Sequence, residues 1–494
     1  LKDSELLYER GIYPQTSYIF RHALTREVVY DLILTSKRQN LHEEIGRAIE
    51  ETYKNNLDEY YGVLAEHFIA SENYEKGAEY SRLAGRKAEK TASLNDAINY
   101  AKKRVSCIEK LPQTDEVQRK LIDARTALGL YMAHMNRLFE AKEAIDPIFD
   151  LAIKHDYKRR VCQIYAILGT YNYFVEEDFA EAFRVLEEAL KISEEVKDVL
   201  TLNVASVWLG AALSFNCQFD RGIPYFKKAL DMSMATKILY AIALIKSNLA
   251  YISYFNQGRI NLGFQTTCEA FQIAEESGDI YSKGAAYTSH GISCYGRRLL
   301  KEAEKHLLKG IEFCERINMH SFNAFGHIHL GETYFEIGEF LKSKDYYEKA
   351  WWIYEGNRLF PSGIGLGKVG IARSKVMNNE KDVDLESLYA YSKNNKLKVF
   401  EGWISRYIGE ILLNIDHQHT SEAEYWIHKA IESDQKNRMM FHLGKDYALY
   451  AEWFKRKGDR LKAQENLGKA KEILKECGAD GWVSKYEKEL ASIS

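Results

Sequence analysis

The stretch Ser362-Gly-Ile-Gly-Leu-Gly-Lys-Val-Gly370 is the part of this chain that most resembles chemistry. Glycines ahead of a lysine can wrap backbone N–H groups around a phosphate. That loop requires GxxxxGK, then Ser or Thr, after a strand. Here Val369 follows Lys368, the glycine spacing is short, and no strand pattern precedes it. The run reads instead as a helix of small residues that packs closely on its neighbours. Histidine offers no stronger case. His327 and His329 are two apart, so a helix sends them to different faces. His417 and His419 fall in a polar link. Neither pair has carboxylates or cysteines at metal-ligand spacing, so both read as surface or partly buried side chains. No GxSxG, HExxH or EF-hand pattern is present. The reading is therefore of a chain with no catalytic residue, no metal and no cofactor, and no ATP or GTP turnover is expected of it.

Cys107, Cys162, Cys217, Cys268, Cys294, Cys314 and Cys477 form no CxxC pair and no cluster. An odd number at scattered spacing reads as reduced cysteines packed as small hydrophobes.

The residues best suited to recognition are aromatic. Tyr173, Phe174, Phe215, Tyr251, Tyr254, Phe255, Tyr295 and Phe335 recur at equivalent places along the chain. On the inner side of a helical array they would line a groove for an extended peptide, a protein segment or a small effector. Alternatively they pack as ordinary core between adjacent helices. With 33 tyrosines in the chain, both readings stay open. Toward the C-terminal end the same places turn charged, with Arg406, Glu410, Glu452, Lys455 and Arg456, which reads as a solvated face.

The elements that position these residues follow a beat. It runs through Leu128-Gly129, Leu168-Gly169, Leu209-Gly210, Leu249-Ala250, His290-Gly291, Leu330-Gly331, Val369-Gly370, Ile408-Gly409 and Tyr450-Ala451. Successive second members lie 40, 41, 40, 41, 40, 39, 39 and 42 residues apart. A fixed period of this size is the signature of a solenoid built from repeated helical hairpins. Around Leu330 the two helices read SFNAFGHIHLGETYFEIG and EFLKSKDYYEKAWWIYEG. Gly331, Ser343 and Ala350 let them approach, while Tyr334 and Tyr347 fill the space beside. A small residue beside leucine, a tyrosine-like filler and spaced alanines resemble the tetratricopeptide (TPR) signature, although that repeat is about 34 residues.

Bulk composition agrees. Five prolines in 494 residues favour helix. An apolar fraction of 46% with 28% charged residues is that of a globular chain, and a net charge of -3 gives no field for nucleic acid or anionic lipid. No apolar run reaches the length of a membrane span and no signal peptide is evident, so neither membrane nor nucleic acid is an expected partner and a cytoplasmic location is. The fold class expected is all-α: a TPR-like right-handed superhelical solenoid of about eleven antiparallel helix pairs. Its expected extent is 59–476, with a capping helix at 477–494 and a winged-helix remnant and linker helix at 1–58.

That first segment breaks the period. Phe20, His22, Leu24, Glu27 and Tyr30, then Arg38, then Leu41 and His42 resemble the motif at the end of the winged-helix region in bacterial signal-transduction ATPases of the STAND class. The ending Glu476-Cys-Gly-Ala-Asp-Gly-Trp482 also looks like the close of such proteins. The resemblance implies a C-terminal TPR region of a longer protein, with an ATPase and often an adenylate or guanylate cyclase upstream. It implies a sensor or scaffold that binds a partner and regulates those modules. A plain interaction scaffold without switching is the alternative, and an enzyme using the groove the remote one.

Overall fold

The computed structural model describes residues 7–10, 17–20 and 23–493, apart from 92 and 417. They form two compact units, 1–131 and 132–494.

In the first unit, strands Leu7–Arg10 and Ser17–Phe20 pair antiparallel, Leu7 opposite Phe20. Helices Ala23–Asp31, Thr35–Thr52, Tyr61–Ala70, Tyr74–Lys90 and Leu94–Glu109 follow. The helix Leu94–Glu109 packs on Tyr74–Lys90. Three of the motif residues meet here. Tyr30 Oη lies 2.8 Å from His42 Nε2, and the Arg38 guanidinium sits over the Tyr30 ring at 5.0 Å. His42 Nδ1 is in turn 2.8 Å from His67 Nδ1. These contacts join three helices and explain the motif as a structural joint. His22 lies outside the described residues.

The second unit repeats one design, and the all-α TPR-like solenoid expected from the sequence is the observed fold. Val199–Phe215 pairs with Phe219–Ala235, Ile280–Gly296 with Leu300–Arg316, and His320–Ile337 with Phe340–Gly356. Lys398–Ile415 pairs with Thr420–Asn437, and Met440–Arg456 with Arg460–Cys477, before a final helix Asp480–Ile493. The residue on the beat is small because the second helix lies against it. A Cβ on Gly331 would meet the Tyr347 ring at 2.8 Å, and one on Gly291 would meet Leu307 Cγ at 2.7 Å. Ser343 Oγ donates to the Gly331 carbonyl at 2.8 Å and shares a 2.9 Å contact with Ser374 Oγ, tying one pair to the next. The glycine run falls inside the helix Pro361–Met377, whose second helix is short, Leu385–Asn394. Gly363 and Gly370 face Tyr354 and Tyr347, and Lys368 lies over the Trp351 ring at 4.7 Å.

The two helices of a pair differ in kind. Second helices such as LKEAEKHLLKGIEFCER bury one stripe and solvate the rest. First helices such as VLTLNVASVWLGAALSF have no charged face, and from Ser321 to Phe335 every residue is buried. A helix without a polar face is one surrounded by protein. Several first helices touch not only their partners and neighbours but also first helices much farther along the chain, as Phe215 does with Phe325.

Candidate functional site

All eight aromatic residues proposed for an open groove are buried, from Tyr173 at 0% exposed to Phe335 at 8%. In this conformation they pack as core, one of the two arrangements the sequence left open. The inner face is closed on itself, and its aromatics pack across the interior rather than along it. Phe215 stacks on Phe325 at 6.0 Å, Tyr251 meets the same ring at 5.0 Å, Phe255 packs on Phe441 at 5.1 Å, and Tyr295 on Trp482 at 5.6 Å. One cavity among the described residues adjoins Tyr173, Phe174, Phe215, Phe322 and Phe325, with Asn248 and Ser321 as its polar lining, and its volume of about 30 Å³ has room for little more than water.

Two π-helical turns aim part of this series. Lys158–Tyr171 continues as a π-turn over Asn172–Glu176, and Leu239–Asn248 as another over Leu249–Phe255. Such turns widen the helix and recur at functional sites. Here they bring Tyr173 with Phe174, and Tyr251 with Tyr254 and Phe255, to the interior together.

Beyond the aromatics lies a buried charged centre. Glu332 Oε1 accepts from Arg373 Nη1 at 2.8 Å, from Tyr347 Oη at 2.7 Å and from Tyr407 Oη. Its Oε2 accepts from Tyr295 Oη at 2.8 Å and lies 3.4 Å from Lys445 Nζ. Lys445 also reaches Glu336 Oε1 at 3.2 Å, Glu336 Oε2 takes Lys485 at 3.2 Å, and Arg373 Nε reaches Glu410 at 2.6 Å. Arg373, Lys445 and Lys485 thus balance Glu332, Glu336 and Glu410. Burial opposes ionisation of Glu332, but Lys445, Arg373 and the donating phenols outweigh it and hold the carboxyl well below its ordinary range. Burial likewise opposes ionisation of Glu336, and Lys445 and Lys485 bring it to about 2.

A second charged cluster adjoins the first. Arg406, 3% exposed, donates to Asp446 Oδ1 at 2.9 Å and to His442 Nδ1 at 3.2 Å. Arginine only donates, so His442 Nδ1 is the acceptor and the ring proton sits on Nε2. Asp434 lies 4.0 Å from Arg406, and neither of its oxygens has a donor if the group is ionised. Burial and the neighbouring Asp446 push Asp434 well above its ordinary range. A proton held on Asp434 gives it a hydrogen bond to offer Asp446 and removes the repulsion between the two carboxyls.

Arg406 and Glu410, read from sequence as part of a solvated face, belong to these centres; Lys455 and Arg456 are exposed as read. His327 and His329 do point to different sides, one against Tyr346 and the other between Tyr251, Phe255, Tyr295 and Trp403, but both are buried rather than on the surface. Burial lowers each to about 3, so both are neutral. His419 pairs with Asp416 in its link, and His417 lies outside the described residues. Among the described residues no group of three His, Cys, Asp or Glu side chains could hold a metal. Nor is any helix there long and apolar enough to cross a membrane. The buried network escaped the sequence reading because its partners lie 15 to 150 residues apart. One signal was available: Glu332 stands in a helix with no charged face to offer it.

No family model matches the sequence, and no curated protein matches it. Solved structures do. Aspartyl phosphate phosphatase F from Bacillus subtilis is 15% identical with a TM-score of 0.46, over 67% of this chain and 86% of that one. A Rap protein solved with competence and sporulation factor is 10% identical with a TM-score of 0.43, over 84% and 99%. A STAND protein with a tetratricopeptide repeat sensor from Pyrococcus horikoshii is 15% identical with a TM-score of 0.38, over 98% and 68%. These are likenesses of helical architecture and assign no function to this chain.

Proposed function

We propose that this chain is a TPR-like sensor region whose inner face binds a protein segment, peptide or small effector when the closed array opens. The carrying observation is that the inner face is shut by contacts between pairs far apart in sequence. Lys445 reaches Tyr295 across 150 residues, and Tyr407 reaches Glu332 across 75. Such contacts can part while each helical pair keeps its own packing, because a solenoid's stability resides mainly in neighbour-to-neighbour interfaces. In the closed form the eight aromatics and the charged centre satisfy one another. In the open form the same side chains become the partner surface, so the partner acts by population shift. Regulation of an ATPase or cyclase module of the same protein is the finer reading. It rests on the STAND-like motif residues at the two ends, while the proposed division into 1–58, 59–476 and 477–494 follows where the repeat begins and ends. A scaffold that never switches is the second reading, favoured by the burial itself.

Lys445→Met in the full chain tests the choice. Small-angle scattering should give a larger radius of gyration while circular dichroism retains the helical signal. Hydrogen exchange should quicken in His320–Ile337 and Met440–Arg456. A single cooperative loss of helix with no expanded helical species would make the interior an ordinary core and remove the sensor reading.

A further inference from the structure

One distant closure in the second unit is made by a single carboxylate. Glu177 Oε1 accepts from the Ser362 backbone N–H at 3.0 Å and its Oε2 from Ser362 Oγ at 2.6 Å, across 185 residues. Ser362 stands in the first turn of the helix Pro361–Met377, where N–H groups lack partners within the helix. Lys396 completes the setting: its backbone N–H donates to Ser362 Oγ at 2.9 Å and its Nζ to the Glu176 carbonyl at 3.0 Å. Beside it the Phe360 N–H donates to the Phe174 carbonyl at 2.7 Å. Both sides of the contact hold left-handed backbone, Glu177 at φ 51° and Phe360 at φ 43°. Non-glycine residues keep that conformation at some expense, so the junction is held by its contacts rather than by local preference.

Two more polar groups lie at this place with nothing to bond. Tyr173 and Tyr354 are fully buried, their rings pack on Phe360 at 5.5 and 6.0 Å, and neither hydroxyl has a partner. A buried hydroxyl without a partner is unfavourable and rare. The backbone N–H and hydroxyl of Ser362 therefore meet one carboxylate, the Lys396 N–H supports that hydroxyl, and two idle phenols lie near. That is the donor set of a carboxylate site, and here the chain supplies its own occupant.

We propose that Ser362 and Lys396 form a carboxylate-binding site that Glu177 fills in the closed form, and that a ligand carboxylate replaces Glu177 as the inner face opens. The proposal rests on the opening described above. It adds the chemistry of the ligand, an acidic group carried on an apolar body, since the aromatic wall of Tyr173 and Phe174 begins at the same seam. No covalent step is involved; one carboxylate exchanges for another on the same donors.

Chemical rescue in the full chain tests this. Glu177→Ala should speed hydrogen exchange at least tenfold in 172–178 and 359–366, with the cooperative melt retained. Sodium acetate should restore protection to that variant where sodium chloride at equal ionic strength does not, and should leave the parent chain unchanged. Adding Ser362→Ala should abolish the rescue. An acetylated dipeptide with a free terminal carboxylate acting at tenfold lower concentration than acetate, while its amide is inert, would make the ligand a peptide end; equal potency would make it a free acid. Unchanged exchange in Glu177→Ala, or rescue by chloride as well as by acetate, would overturn the site. If Lys445→Met expands the chain but acetate fails, only this proposal falls; if neither variant opens the array, the sensor reading falls first.

Discussion

Glu332 and Asp434 are both carboxyls sealed inside the same array, and their environments drive them in opposite directions. Glu332 has two cations and three phenols as donors, and it stays charged. Asp434 has a second carboxyl beside it and a single arginine 4.0 Å away that is already committed to Asp446. It does better by keeping a proton. Burial alone penalises the charged form of both, so the supply of donors decides which one ionises. The first centre is locked by charge, and the second is adjustable by protons.

Glu332→Ala should be the most damaging change, because it removes the acceptor shared by two cations and three phenols and leaves the buried centre one negative charge short. The loss should be about 3–5 kcal/mol, read from the denaturant midpoint at pH 7. Arg406→Ala should cost less, about 1–3 kcal/mol, because Asp446 and Asp434 can share protons once the guanidinium is gone. Equal losses for the two variants would erase the contrast between the centres.

The pH dependence sharpens it. The folded-state pKa of Asp434 is raised, so its contribution is whole below about 3.9, the ordinary carboxylate value, and declines as pH climbs toward the folded value. Glu332 behaves conversely: its contribution is present above the ordinary value and is lost as pH falls through its lowered folded pKa. Asp434→Asn should therefore raise stability at pH 8 by about 1 kcal/mol and flatten the decline above pH 4 in a series of melts. A steeper decline in that variant would place the proton elsewhere. Lys469→Ala, at an exposed pair with Glu465, should shift the midpoint by less than about 0.5 kcal/mol. A larger change there would show that donor supply matters outside the interior too.

The helical pairs were legible from Gly331 and its equivalents, because a small residue every forty positions has a local cause: the facing Tyr347 or Leu307 leaves no room for a Cβ. The closed interior was not legible from periodicity. Tyr295 and Trp482 touch because the array curves back on itself, and the repeat pattern carries no record of that curvature. The eight aromatics share an interior, but spacing alone cannot tell an open groove from packed core. Glu177 gave no local sign at all, since its partner Ser362 is set by the path of the chain in between.

The two π-turns also bear on the chain's length accounting. A π-turn holds one residue more than the α-helical turn it replaces. The interval from Gly169 to Gly210 contains the turn Asn172–Glu176, and that from Ala250 to Gly291 contains most of the turn Leu249–Phe255; each measures 41. The intervals Gly129–Gly169, Gly210–Ala250 and Gly291–Gly331 each measure 40. The alternation of 40 and 41 as far as Gly331 thus matches two single-residue insertions absorbed inside helices, where each swells one turn; the later intervals of 39, 39 and 42 have another origin. Removing one residue from each turn would return the intervals to forty and draw Tyr173 and Tyr251 away from the interior they now help to close.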